Sequence, residues 1–293
     1  AKNQNAVVAP SFKKGMRVRT QRRRHSYLVL VALIVDQVSA LVSTSTNDSV
    51  LAATYQSHAK LPPFTAFGKD VANRRTLADA AAQIAYNKEI VLVCGDGSAY
   101  ASPTALNTVS QFYALKMHHV LYVSDSTRSC ETLRDGLPSL ACVWSSEINA
   151  TKPDNAGLCN KLYWDRRFYF YLVRKRMVVH LAIELGYNVL QTDTDVAWFA
   201  SPYPLLKTAY ADVKLVSQRD APLVNAGVFY VQNARPGDGV DYVLTELARR
   251  IELFMFHPEA VKRYVPWAIP PYFSNSDEQT LMNDVLLSSI MQV

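Results

Sequence analysis

The chain is punctuated by short apolar runs that each stop at glycine or an acidic residue. Ile90-Val-Leu-Val-Cys94 precedes Gly95-Asp96-Gly97, His119 to Ser124 precedes Asp125, and Tyr187 to Thr192 precedes Asp193-Thr-Asp195. Runs this short suit buried strands better than helices. Between them lie stretches that read as helix: Ser102 to Lys116 with Pro103 in its first turn, Cys130 to Asp135, and Asp165 to Leu185 stopped by Gly186. Leu140 to Trp144 adds a strand, as do Lys214 to Ser217 and Val228 to Val231. Helices are expected from Val240 to Phe256 and again from near Asp277. Strands and helices alternating in this way predict βαβ units and a mostly parallel sheet in an α/β fold. Ligands of such sheets bind beyond the carboxyl ends of the strands, and that is where the glycine and acidic residues fall.

A net charge of +6 invites a nucleic-acid partner, but the charge is not spread over the chain. Residues 1–26 hold Lys2, Lys13, Lys14, Arg17, Arg19, Arg22, Arg23 and Arg24 and no Asp or Glu, while the rest is close to balanced. The basic character therefore belongs to a tail, and no nucleic-acid partner is expected. An apolar run, Tyr27 to Val35, follows the tail and is broken by Asp36-Gln37. It falls short of the roughly 20 residues of a spanning helix but suits the core of a signal peptide, with Val38-Ser39-Ala40 supplying small residues for cleavage and Met16 a candidate start. A short type II anchor over Tyr27 to Val42 is the alternative. Both readings divide the chain into a tail with signal or anchor (1–43), a stem (44–88) and a domain (89–293) in the secretory lumen. Asn47-Asp-Ser49 and Asn149-Ala-Thr151 add weak support as glycosylation acceptors. Of the four cysteines, Cys130, Cys142 and Cys159 can supply one disulfide, and Cys94 reads as a buried thiol.

Asp193 and Asp195 carry the chemistry. An i, i+2 pair leaving a strand end can aim both carboxylates into one volume as the backbone turns. Two like charges so placed repel, and a hard divalent cation such as Mn²⁺ or Mg²⁺ removes the repulsion. Such an ion can stabilise the charge on a departing diphosphate. Alone, Asp-Thr-Asp reads as a turn. Set between Asn188-Val-Leu-Gln-Thr192 and Val196-Ala-Trp198, with Pro202 and Pro204 following, it reads as a site.

The run from Leu185-Gly-Tyr through Asp193-Thr-Asp-Val-Ala-Trp198 to Pro202-Tyr-Pro204 resembles the nucleotide-diphospho-sugar transferases of plants and algae, glycosyltransferase family 77. Lys175 falls at the family's basic position in the preceding helix. Asn225-Ala-Gly-Val-Phe-Tyr-Val231 is similar to its Asn-Ala-Gly strand, and Glu278-Gln-Thr-Leu-Met-Asn283 to its Asp-Gln-x-x-Phe-Asn helix. The resemblance implies a GT-A (Rossmann-like) fold and a Golgi or secretory enzyme, possessing a lumenal domain that transfers a pentose or galactose with retention from a UDP-sugar to a glycan or glycoprotein. It implies that Asp193 and Asp195 hold the metal and the donor diphosphate, Asp195 most directly. Gly95, Asp96, Gly97 and Asp125 would line the nucleoside pocket. Asn225 and the Gly227 backbone would face the donor sugar, and Glu278 and Gln279 the reacting carbon. Spacing to Asn283 favours Glu278 for the acidic position, whereas residue type favours Asp277. The third metal ligand that GT-A enzymes often draw from a C-terminal segment is not identifiable before Val293, so a truncated product is one expectation.

Other readings compete. A haloacid-dehalogenase-type phosphatase would use Asp193 as nucleophile and Asp195 as acid/base, with Lys214 and Asp238 or Asp241 as partners. A degenerate GT-A domain that binds without catalysis is the third. Arg174-Lys175-Arg176 suits a phosphate partner at Lys175 and a solvated helix face equally well. His180, Trp198 and Phe168 to Tyr171 read mainly as core.

Overall fold

The computed structural model describes residues 32–34, 63–95, 101–149, 165–220, 224–256 and 278–291. Seven strands form one sheet: β1 (Ala32–Ile34), β2 (Glu89–Cys94), β3 (Val120–Ser124), β4 (Cys142–Trp144), β5 (Asn188–Thr192), β6 (Leu215–Arg219) and β7 (Val224–Val231). Their order across the sheet is β1-β6-β7-β5-β2-β3-β4. Seven helices accompany them: α1 (Arg74–Ile84), α2 (Ala101–Ala114), α3 (Thr127–Gly136), α4 (Asp165–Val178), α5 (Tyr203–Thr208), α6 (Gly239–Phe256) and α7 (Glu278–Met291).

The sheet is mixed rather than mostly parallel. β2, β3, β4 and β5 run parallel, but β7 lies antiparallel to both β5 and β6. Chain length explains the reversal. Only residues 220–223 separate β6 from β7, too few for the dozen or more residues of a parallel crossover. The β5-to-β6 connection is long enough to hold α5, so β6 returns parallel to β5 one position away and β7 fills the gap.

Alternation along the strands makes two cores. Ile90, Leu92, Leu121, Val189 and Phe229 face α1, α4, α6 and α7, while Val91, Val93, Val120, Leu190 and Tyr230 face α2, α3 and α5. β2 and β3 are buried throughout, as a strand covered by helices on both faces must be. α1, capped by Asn73, buries Leu77, Ala80, Ala81 and Ile84, so part of the stretch read from the sequence as stem belongs to the domain core.

α4 does not run on as α-helix to Leu185. Val179–Glu184 form a π-helical turn, where the Leu185 amide reaches the His180 carbonyl, and Gly186 then takes a left-handed φ of 72°. His180 is a packed residue, bonded to Glu184 (2.7 Å) and the Arg74 carbonyl (3.2 Å). Cys130 and Cys142 form a disulfide and Cys94 is a buried free thiol. Cys159 lies outside the described residues, as do Asn47 and most of the signal or anchor segment. Ala32–Ile34, inside that segment, pair with β6 as the edge strand β1. No helix among the described residues is long and apolar enough to cross a membrane.

Candidate functional site

Strand register assembles the site before any side chain is considered. Val93 pairs with Thr192 and Cys94 with Val123, which sets Gly95, Asp125 and the Asp193 turn along one carboxyl edge. Gln191 pairs with Phe229, so two residues farther on Asp193 comes beside Gly227 of β7. The turn after β5 is held from below by α2. Thr108 Oγ1 donates to the carbonyls of Thr194 (2.7 Å) and Val196 (3.1 Å), and Gln111 accepts from the Trp198 amide (2.6 Å). Trp198 packs on Phe112 and donates from its indole to Thr192, so its role here is packing.

The two aspartates are not equivalent. Asp195 is exposed and carries no hydrogen bond among the described residues. Asp193 is half-buried, and its Oδ1 pairs with Arg174. Its Oδ2 is turned toward Gly227, where a β-carbon would stand 2.6 Å from Asp193 Cγ and nearer still to Oδ2. Glycine is required there by close approach, since its φ is not left-handed. Gly95 is tight for a similar reason: a β-carbon would meet Thr194 Cγ2 at 3.1 Å and the Tyr122 hydroxyl closer yet.

Beneath the pair lies a buried charge cluster drawn from three elements. Arg174, on α4, reaches Asp193 with Nη1 and Glu278 of α7 with Nη2. Lys175 is fully buried, contacting Glu278 Oε1 and donating to Gln191 Oε1 (2.8 Å) and the Ala226 carbonyl (2.9 Å). The Lys175–Glu278 approach is an ion pair whose direction is poor for a hydrogen bond. Burial opposes the Arg174 charge, but Asp193 and Glu278 overcome it and hold its pKa above the ordinary arginine value. For Lys175 burial prevails, and its pKa falls to about 8. An exposed position holds only for Arg176, which pairs at the surface with Glu252 (2.9 Å). Lys175 sits below the site, and phosphate at the surface is out of its reach. Sequence reasoning missed Arg174 as a site residue; the Arg174-Lys175-Arg176 triplet interrupting the apolar run of the helix was the available signal.

The remaining sequence candidates divide. Asn225 is engaged in the strand: Oδ1 accepts from the Gly227 (2.7 Å) and Val228 (3.0 Å) amides, and Nδ2 donates to Asp220 (3.0 Å). It shapes the Gly227 approach instead of opening a turn. Asn283 clasps the Val224 peptide from α7, accepting from its amide (2.9 Å) and donating to its carbonyl (3.0 Å), which docks α7 on β7. Glu278 is buried at the start of α7, and Gln279 beside it is half-buried. Asp125 is buried, with its Oδ1 receiving the Ser129 hydroxyl (2.6 Å) and facing Ser124 and Ser126 at the entry to α3. Asp96, Gly97 and Asp277 lie outside the described residues.

For a divalent cation the donor set is partial. Among the described residues no group of three or more His, Cys, Asp or Glu converges. Asp195 is exposed, whereas Asp193 has Oδ1 on Arg174 and Oδ2 against Gly227, so these two carboxylates are the residues that would hold such an ion, with water and substrate phosphate left to complete its shell. Lys214 pairs with Asp238 at the other end of the sheet. Leu215 and Val189 both pair with Val231, so Lys214 is level with Asn188, roughly 16 Å of strand from Asp193. That separation removes the phosphatase constellation.

Residues 160–290 match the family model for nucleotide-diphospho-sugar transferases. The matched segment contains α4, β5, the Asp193–Asp195 turn, β7 and nearly all of α7, and leaves out Gly95, Asp125 and the α2 clamp. It supports a sugar transferase using a nucleotide-sugar donor and a glycan acceptor. No curated protein matches the chain.

Proposed function

We propose that the protein is a metal-dependent glycosyltransferase of the secretory pathway, resembling family 77, which moves a pentose or galactose from a UDP-sugar to a glycan or glycoprotein with retention of configuration. The observation that carries this reading is the charge arrangement at the carboxyl edge. Directly under Asp193, both Arg174 and Lys175 are already matched by Asp193 and Glu278. A diphosphate arriving beside Asp195 therefore meets a net negative surface there and needs a cation between. Mn²⁺ or Mg²⁺ on Asp195 and Asp193 Oδ2 would supply that charge and stabilise the leaving diphosphate.

The protein's own groups do the rest. The Gly227 approach leaves the Asp193 carboxylate room on the β7 side. α2 clamps the turn so that Asp195 does not wander. Gln279, half-buried next to Glu278, would face the sugar, where its amide could stabilise oxocarbenium-like charge. Glu278, held by two cations, would contribute negative potential to the site instead of acting as a base.

Titration calorimetry with UDP-arabinofuranose, UDP-xylose and UDP-galactose, with a GDP-sugar as control, tests the proposal. Binding of one UDP-sugar that requires Mn²⁺, with slow hydrolysis retaining the anomeric configuration by NMR, is expected. Equal binding in Mn²⁺ and in EDTA would refute the metal-bridged site.

A further inference from the structure

We propose that Arg174 is a positioning residue that couples cation loading at Asp193 to the placement of Glu278; this deepens the metal-and-donor reading above and rests on it. One guanidinium, 5 % exposed, joins carboxylates that lie 19 and 104 residues away in sequence and on separate elements. Its N–H directions are fixed by the planar group, so a shift of one carboxylate turns the plate and moves the other.

The two ends are not equally free. Glu278 is pinned on its second oxygen by Lys175, which is itself tied to Gln191 and the Ala226 carbonyl. Asp193 is half-exposed, pairs with Arg174 through Oδ1, and has Oδ2 packed against Gly227. A cation on the Asp193 carboxylate therefore weakens its hold on Nη1, and Glu278, kept on Oε1 by Lys175, turns about that contact. Among the described residues Nε of Arg174 is buried without a hydrogen-bond partner, so the guanidinium has a further donor when its plane turns. In the metal-free protein the arginine stands in for the cation at Asp193. Loading would release that arm and let the plate turn, and Glu278 with it.

The coupling predicts opposite effects on binding and turnover. Arg174→Met removes the competitor, so Mn²⁺ titrated into donor-free protein and followed by the EPR signal of free Mn²⁺ should bind about tenfold tighter, 1.4 kcal/mol at 25 °C. Donor hydrolysis at saturating Mn²⁺ should fall at least about tenfold in kcat. Damage to the fold alone would weaken both. Arg174→Lys keeps the charge but reaches only one carboxylate. It should bind Mn²⁺ about as the wild type does and lose turnover to a similar degree, and it decides the matter if Arg174→Met does not fold. Wild-type Mn²⁺ affinity in Arg174→Met, or wild-type turnover in Arg174→Lys, overturns the coupling while leaving the metal site standing. A wild-type chain that binds no Mn²⁺ with or without UDP sinks both.

Discussion

Replacing Gly227 with alanine perturbs the site at its tightest point. The new β-carbon would stand 2.6 Å from Asp193 Cγ and 3.0 Å from Asn225 Oδ1. Ordinary carbon–carbon contact is about 3.5–4.0 Å, so the overlap with the carboxylate is roughly an ångström. β7 cannot retreat, since it is paired on both edges and Asn225 holds the Gly227 and Val228 amides from within the strand. The Asp193 side chain must yield instead and withdraw from Arg174. The backbone tolerates alanine, because Gly227 has no left-handed φ. Overpacking of this kind costs about 1–3 kcal/mol. A domain of this size loses about 2–4 °C in Tm for each kcal/mol. The expected protein is folded, melts a few degrees lower by circular dichroism, and shows little or no Mn²⁺-dependent UDP-sugar binding by calorimetry. An alanine variant with wild-type Tm and metal-dependent binding within about twofold of wild type would show that Asp193 need not occupy this position, and the site geometry would be wrong.

Asp195→Asn should leave Tm unchanged, because the side chain is exposed and without hydrogen bonds among the described residues, yet remove Mn²⁺-dependent donor binding; a variant that still needs Mn²⁺ for full binding would discredit Asp195 as a ligand. Replacing Cys130 and Cys142 together with serine opens a crosslink of sequence separation 12, for which chain entropy gives about 3 kcal/mol, so the variant should unfold at lower urea and the wild type should shift similarly in reductant. The buried His119 is neutral, its pKa pushed down to about 4 by burial with a smaller push from His118, while the unfolded chain protonates it near 6.5. The unfolded state therefore takes up more protons between those values: the stability contribution is full above about pH 6.5 and declines as pH falls toward 4, by up to roughly 3 kcal/mol. Urea midpoints across that window should flatten in His119→Phe, and an unchanged slope would count against the assignment.

Much of the fold was legible because it rests on local patterns. Apolar runs of strand length, Pro103 at a helix start and Gly186 at a helix end marked β2, β3, β5, α2 and α4 nearly where they lie. The carboxyl edge was legible too, since glycine and aspartate end those runs. The antiparallel β7 was not, because pairing direction leaves no mark on a strand's own residues and had to be inferred from loop length. Nor was the place of α1, whose Ala-rich face looks the same in a stem as against a sheet.

At the site itself the division is sharper. The aspartates, the Asn225-Ala-Gly227 strand and the Glu278-Gln279 helix declare their chemistry by type and spacing, which is information carried by neighbours in the chain. The fate of the Arg174-Lys175-Arg176 triplet was not decided there. Three adjacent cations on a helix point in three directions, and only tertiary packing determines which meet carboxylates in the interior and which meet them at the surface. Burial raises the energy of an unmatched charge by several kcal/mol. Tertiary structure thus turned two of these side chains into the buried counter-charges of Asp193 and Glu278 and left the third in an exposed pair with Glu252.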